Sequence, residues 1–286
     1  MPNQILTTAF ELREALDAGR YPDGGPVRVL DVRWRLDRPD GRPEYLDGHI
    51  PGALYVDLDA ELAHHGEPTD GRHPLPSEDE FRETVHRWGI DDGDTVVVYD
   101  DLKNLSSARA WWLLRYAGID DVRILDGSFR AWTAAGFDVE TGETALPAPG
   151  SATVTYGSLP LLPLDEVASF AAAELLLDAR AGERYRGEVE PIDPRAGHIP
   201  GATSAPTTQN VGADGRFLST DELRARFSEL GADADRPVGV YCGSGVTAAH
   251  EAVALTLAGF APTVYAGSWS QWSNHFELPV ATGDAA

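Results

Sequence analysis

The sequence consists of two halves that contain the same four short motifs in the same order. In the first half they are residues 29–33 (VLDVR), 48–53 (GHIPGA), 95–100 (TVVVYD) and 125–132 (LDGSFRAW). In the second half they are residues 176–180 (LLDAR), 197–202 (GHIPGA), 238–242 (VGVYC) and 265–272 (YAGSWSQW). A period near half of 286 residues is too long for a solenoid, so the repeat predicts a duplicated domain.

Each half alternates short apolar runs with longer helical patterns. Residues 164–170 read as the start of a helix, 175–178 as a buried strand, and 248–258 as a helix that ends at Gly259. This alternation predicts an α/β fold in which each domain has a mostly parallel sheet flanked by helices. The Pro- and Gly-containing stretch between the halves predicts domains at 1–143 and 159–286, joined by a linker at 144–158.

The only cysteine, Cys242, follows a hydrophobic run and precedes a loop of small residues and a helical pattern. A strand that ends in such a loop leaves backbone N–H groups unpaired, and these groups form a cradle for an anion. Because ligands of parallel sheets gather at the carboxyl ends of strands, the position also suits a reactive group. We therefore predict that Cys242 is a nucleophilic thiolate rather than a small buried hydrophobic residue.

The first half has Asp100 at the position that matches Cys242, and Asp101 follows it. That half has no thiol, and two acidic residues at the loop would repel an anion. We therefore predict that the first domain is catalytically silent.

The net charge and the termini limit the partners and the compartment. A formal net charge of −23 argues against binding to nucleic acid or to an anionic membrane surface. The N-terminus lacks a signal-peptide pattern and no apolar run is long enough to span a membrane, so we expect a cytoplasmic protein. The pair His64 and His65 has no further His or Cys at metal-binding spacing, so we predict no metal and no cofactor.

The duplicated motifs and the cysteine loop resemble those of tandem rhodanese-domain sulfurtransferases, and the resemblance covers nearly the whole chain. The loop at 242–247 (CGSGVT) is similar to that of the mercaptopyruvate branch, whereas thiosulfate-using members typically carry cationic residues after the cysteine. Thiosulfate is a dianion that benefits from a nearby cation, and this loop has none. Mercaptopyruvate carries its carboxylate away from its sulfur, so a neutral loop suits it better.

The resemblance also implies roles for individual residues. It places a carboxylate-binding arginine at Arg184, while the segment that often carries a second arginine is about two residues shorter here, which leaves Arg186 or Arg195 as substitutes. It implies that Asp59 and His73 assist Ser244 in handling a proton as pyruvate enolate departs. The remaining donor-binding positions are the loop residues Gly243, Gly245, Val246 and Thr247.

The predicted reaction is transfer of a sulfur atom from 3-mercaptopyruvate through a Cys242 persulfide to a thiol such as thioredoxin or a small thiol, or to cyanide. Because the chain has no second cysteine, the acceptor must come from outside. Two alternatives stay open, namely thiosulfate as the donor and a non-enzymatic persulfide carrier. A cysteine-dependent phosphatase is disfavoured, since Ala248 stands where such a loop needs an arginine.

Turn residues present in both halves are expected to be structural. His49 and His198 lie in matching Gly-His-Ile-Pro-Gly turns, and Asp31 and Asp178 end matching strands. A silent domain that keeps its copy of a residue does not need that residue for catalysis.

Overall fold

The structure is a computed structural model that describes residues 4–284. By contacts, the chain divides into two compact units. Unit 1 comprises the residues up to 63 together with 76–158 and 213–217, and unit 2 comprises 64–75, 159–212 and the residues from 218 onward.

Unit 1 is built on a five-stranded sheet whose paired strands are all parallel, in the order β1-β5-β4-β2-β3. Its strands are β1 (Leu6–Thr7), β2 (Val27–Asp31), β3 (Leu54–Tyr55), β4 (Thr95–Tyr99) and β5 (Val122–Leu125). Its helices are α1 (Ala9–Ala18), α2 (Arg42–Asp47), α3 (Leu58–Glu61), α4 (Glu78–Arg87), α5 (Ser107–Tyr116) and α6 (Ser128–Ala134). The central strand β4 is buried along its whole length, as expected for a parallel sheet covered on both faces.

Unit 2 has a four-stranded parallel sheet in the order β7-β6-β8-β9. Its strands are β6 (Leu175–Asp178), β7 (Ala202–Ser204), β8 (Val238–Tyr241) and β9 (Pro262–Val264). Its helices are α7 (Leu164–Ala173), α8 (Gly182–Tyr185), α9 (Thr220–Glu229), α10 (Val246–Leu257) and α11 (Ser268–Asn274), with 3₁₀ turns at Pro68–Asp70 and Thr207–Asn210. The predicted α/β class with parallel sheets flanked by helices is confirmed.

The units differ from the expected division in two places. Residues 144–158, which we expected to link the domains, pack on unit 1, where Gly150 N donates to His86 O at 2.7 Å and Thr155 N donates to Ala117 O at 3.0 Å. Segment 64–75, which lies inside the first half of the sequence, belongs to unit 2. The repeat indicated where the motifs lie, but it contains no signal for a segment that packs with the other half.

The matching turns are buried and tightly bonded in both units. His49 Nδ1 lies 2.9 Å from Tyr45 O, and His198 Nδ1 lies 2.8 Å from Tyr185 O. Each imidazole also stacks on the same tyrosine's ring, with centroids 4.0 Å and 3.8 Å apart. These contacts agree with the structural role expected for both histidines.

In residues 4–284, none of the helices is both long enough and apolar enough to cross a membrane.

Candidate active site

Cys242 lies directly after β8, at the carboxyl edge of the unit 2 sheet. Its side chain is buried, with 1% of the residue exposed. Gly245 N donates to Cys242 Sγ at 3.1 Å, and Gly245 adopts φ +81° as the N-cap of α10. A left-handed φ is strained for residues with a Cβ, so glycine suits the position that turns the loop into the helix. The sulfur therefore faces a backbone donor at the positive end of a twelve-residue helix.

Helix α11 also contacts the cysteine loop. Trp269 N donates to Cys242 O at 2.9 Å and Ser270 N donates to Gly243 O at 2.8 Å. Ser268 Oγ accepts from Cys242 N at 3.1 Å and lies 3.9 Å from Cys242 Sγ. Ser268 was not predicted as a site residue from the sequence, although Ser128 at the matching position of the first half is a signal that could have indicated it.

Ser244 and His73 form a hydrogen-bonded pair beside the cysteine. Ser244 Oγ lies 2.8 Å from His73 Nδ1, and both residues are 6% exposed. His73 reaches this position because segment 64–75 belongs to unit 2 and is tied to α11, where Arg72 N donates to Ser270 Oγ at 3.0 Å. The structure thus brings together Cys242, Ser244 and His73 within one unit.

Asp59, the third residue of the expected proton-handling group, lies in α3 of unit 1. There it accepts a hydrogen bond from Trp34 Nε1 at 3.1 Å. Its assistance to Ser244 remains a prediction from the resemblance.

Two guanidinium groups lie beside Gly243. A Cβ placed on this glycine would be 3.4 Å from Arg184 Nη1 and 3.5 Å from Arg72 Nη2. Arg184 was expected here, but Arg72 was not. A side chain longer than Cβ at position 243 would meet these two guanidinium groups.

Two buried carboxylates balance these cations. Asp193 binds Arg72 Nη1 at 2.8 Å and Arg184 Nη2 at 3.1 Å, while Glu190 binds Arg184 Nη2 at 2.7 Å. Burial raises the pKa of Asp193, and the positive charge of Arg72 opposes that shift. Neither carboxylate was singled out from the sequence. The pairing of Asp193 with Arg72 depends on a segment 121 residues away, which no local pattern indicates.

The other two arginine candidates have different surroundings. Arg195 donates to the backbone carbonyls of Trp272, Ser273, His275 and Leu278 at 2.7–2.8 Å, an arrangement that holds the C-terminal end of α11. Arg186 pairs at the surface with Glu188 at 2.8 Å. These contacts favour structural roles for both side chains and leave Arg72 as the better candidate for a second cation at the loop.

The last two candidate residues begin α10. Val246 is buried as the first residue of the helix, and Thr247 is partly exposed as the second. In residues 4–284, three or more His, Cys, Asp or Glu side chains do not come together in any cluster that could hold a metal ion.

Comparison with known proteins agrees with this geometry. The family model described as the rhodanese-like domain matches residues 8–135 and 164–275. SseB of Mycobacterium tuberculosis, which carries the name of a thiosulfate sulfurtransferase, is 48% identical over 99% of this chain and 98% of its own length. A Pseudomonas aeruginosa protein that carries the name of a 3-mercaptopyruvate sulfurtransferase is also 48% identical, over 99% of this chain and all of its own length.

A solved structure is also similar to this chain. The crystal structure of SseA from Escherichia coli, described as a 3-mercaptopyruvate sulfotransferase, superposes with a TM-score of 0.80 and 33% identity. The match covers 93% of this chain and 99% of SseA. The resemblance noted in the sequence is therefore confirmed: the chain belongs to the rhodanese family, carries two rhodanese-like domains and is a sulfurtransferase.

Proposed function

We propose that the protein transfers sulfur from 3-mercaptopyruvate through a persulfide on Cys242. This choice of donor rests on the hydrogen bond between Ser244 Oγ and His73 Nδ1, 2.8 Å long, in which Ser244 comes two residues after Cys242 in the same loop. A serine and a histidine in contact can relay a proton, and the two possible donors differ in whether they need one.

With mercaptopyruvate, the Cys242 thiolate attacks the donor sulfur and forms the S–S bond of the persulfide. The C–S bond of the donor breaks, and its electron pair passes into the enolate of pyruvate. The proton of the donor thiol must therefore leave sulfur and reach carbon, where it completes the methyl group of pyruvate. Ser244 and His73 provide a route for this proton, while Arg184 binds the carboxylate.

In the second half-reaction, an acceptor thiol or cyanide takes the outer sulfur and releases Cys242 as the thiolate. The acceptor comes from outside, because the chain contains a single cysteine. A thiol acceptor such as thioredoxin or a small thiol is abundant in a reducing compartment, so we assign the reaction to the cytoplasm.

Thiosulfate is the second candidate donor. The observation that favours it is the pair of guanidinium groups beside Gly243, since a dianion gains more from two cations than a monoanion does. The name carried by the M. tuberculosis relative points in the same direction. Attack on thiosulfate releases sulfite, whose departure requires no proton.

The proton requirement separates the two donors experimentally. We expect His73→Asn to lower kcat for mercaptopyruvate by about a hundredfold, since general acid–base catalysis typically contributes at least that factor. The same variant should change kcat for thiosulfate by less than about threefold, because sulfite leaves without a proton. Pyruvate and sulfite release, measured with one thiol acceptor, would report the two rates. Equal losses for both donors would overturn the proton relay and, with it, the preference for mercaptopyruvate.

A further inference from the structure

Arg72 combines several features that its structural contacts alone do not explain. Its Nη2 lies beside Gly243, next to the nucleophile, although it comes from a segment far away in sequence. Its Nε is buried and has no hydrogen-bond partner among the described residues. A buried guanidinium nitrogen without an acceptor is costly, so such groups usually have a partner, either in the protein or from a ligand.

We propose that Arg72 binds the anionic group of the sulfur donor together with Arg184, and that Asp193 sets the preference between a monoanionic and a dianionic donor. This proposal rests on the proposed function only in requiring an anionic sulfur donor at Cys242. Arg72 replaces Arg186 and Arg195 as the candidate for the second cation that binds the donor.

The backbone around Arg72 is fixed by the same helix that holds the cysteine loop. Gly71 has φ +91°, and a Cβ there would lie 3.0 Å from Gly267 O and 3.2 Å from Ser270 Oγ. Ser270 accepts from Arg72 N and donates its own N–H to Gly243 O. Because one residue of α11 contacts both Arg72 and the loop, the distance between the guanidinium and the loop is set within unit 2.

Asp193 links the two guanidinium groups. It accepts from Arg72 at 2.8 Å and from Arg184 at 3.1 Å, and its side chain is 3% exposed. Glu190 binds Arg184 and also lies 3.5 Å from Arg180, which pairs with Asp178, so three carboxylates face three guanidinium groups. The cluster is therefore close to neutral, so a monoanion meets two directed donors without a large excess of positive charge. A dianion would gain more from a cluster that carries net positive charge.

The experiment compares kcat/KM for thiosulfate and for mercaptopyruvate in Arg72→Gln and Asp193→Asn. Arg72→Gln removes one positive charge, so we expect about a tenfold loss for thiosulfate and about a threefold loss for mercaptopyruvate. Asp193→Asn keeps an oxygen acceptor but removes the negative charge, so the ratio of thiosulfate to mercaptopyruvate should rise by about tenfold. A merely structural role would lower both activities in parallel and leave the ratio unchanged.

Arg236→Gln serves as the matched control. Arg236 belongs to unit 2 and pairs at the surface with Glu174, with 59% of its side chain exposed. This variant changes the net charge of the protein by the same amount as Arg72→Gln. Its donor ratio should stay within about twofold of the original chain, since exposed charges are screened by salt.

Equilibrium binding separates failure of this inference from failure of the proposed function. In a Cys242→Ser background, calorimetry with thiosulfate and with pyruvate measures binding of the anions without sulfur transfer. Adding Arg72→Gln should weaken thiosulfate binding by about tenfold. Unchanged binding, together with an unchanged donor ratio, would overturn the role of Arg72 even if both donors are turned over. Absence of turnover with both donors would overturn the proposed function, while weakened binding in the Arg72 variant would still support the inference.

Discussion

The matching loops of the two units hold different side chains against their backbone N–H groups. In unit 2, the sulfur of Cys242 faces Gly245 N and lies near the hydroxyl of Ser268. In unit 1, the carboxylate of Asp100 occupies the cradle. It accepts hydrogen bonds of 2.8–3.1 Å from the backbone N–H groups of Leu102, Asn104, Ser106 and Ser107 and from the hydroxyls of Ser106 and Ser128.

The buried Asp100 gives a different reason why the first domain is predicted to be catalytically inactive. From the sequence, we expected two acidic residues to repel an incoming anion at the loop. The structure instead buries Asp100 inside the cradle and pairs Asp101 with Arg35 at 2.9 Å. The first loop is thus filled by its own side chain, whereas the second presents a group that can accept a sulfur atom.

The surroundings of the loops differ as well. Tyr45 and Tyr185 occupy matching positions, because each hydroxyl donates to the last residue of its Gly-His-Ile-Pro-Gly-Ala motif. The preceding residue is Glu44 in unit 1 and Arg184 in unit 2. Unit 1 therefore carries a carboxylate where unit 2 carries the guanidinium that we propose binds the donor.

The largest expected effect is that of Cys242→Ser. A serine hydroxyl is a far weaker nucleophile than a thiolate, so turnover should fall by at least about a thousandfold with either donor. Mass spectrometry after donor treatment should no longer detect the gain of one sulfur atom. The original chain, treated first with donor and then with cyanide, provides the control for loss of that sulfur. A sulfur adduct that persists in the variant would mean that Cys242 is not the carrier.

The next effect is that of Arg184→Ala on mercaptopyruvate binding. A charge-assisted hydrogen bond is worth about 1.5–3 kcal/mol, so KM should rise by at least about tenfold. The carboxylate is remote from the reacting sulfur, so kcat should change less than KM. Steady-state kinetics would measure KM and kcat. Arg184→Lys serves as the matched variant, because lysine keeps the positive charge but cannot form the bidentate hydrogen bonds of a guanidinium. An unchanged KM would mean that Arg72 holds the carboxylate without Arg184.

Asp100→Ala should affect stability rather than catalysis. The change leaves several buried N–H and O–H groups without an acceptor, so unfolding should become easier by at least about 3 kcal/mol. Formate in solution should raise the melting temperature of the variant more than that of the original chain, because it can refill the cradle. Denaturant unfolding and thermal melting would measure the loss and its recovery. A variant as stable as the original chain would show that the carboxylate does not stabilise the loop.

Local signals in the sequence account for what could be predicted. The strand, the Gly-punctuated loop and the following helix identified Cys242, since nearby residues determine a turn into a helix. Arg72 could not be found in this way, because its approach to Gly243 depends on the packing of segment 64–75 against α11. The near-neutral charge of the site could not be predicted for the same reason, because Asp193 pairs with Arg72, which lies 121 positions away in the sequence. Tertiary contacts, rather than local patterns, determine which charges meet at this loop.

Asp100→Cys has the smallest expected effect, because it should add no activity. Residues 101 and 102 are Asp and Leu where unit 2 has Gly243 and Ser244, so the new thiol would lack both the glycine and the serine that follow Cys242. The double variant with Cys242→Ser isolates the new thiol and should neither turn over donor nor gain sulfur in mass spectrometry. If it did gain sulfur, the backbone cradle alone would be enough to form a persulfide. The difference between the two units would then lie in one side chain rather than in the charges around the loop.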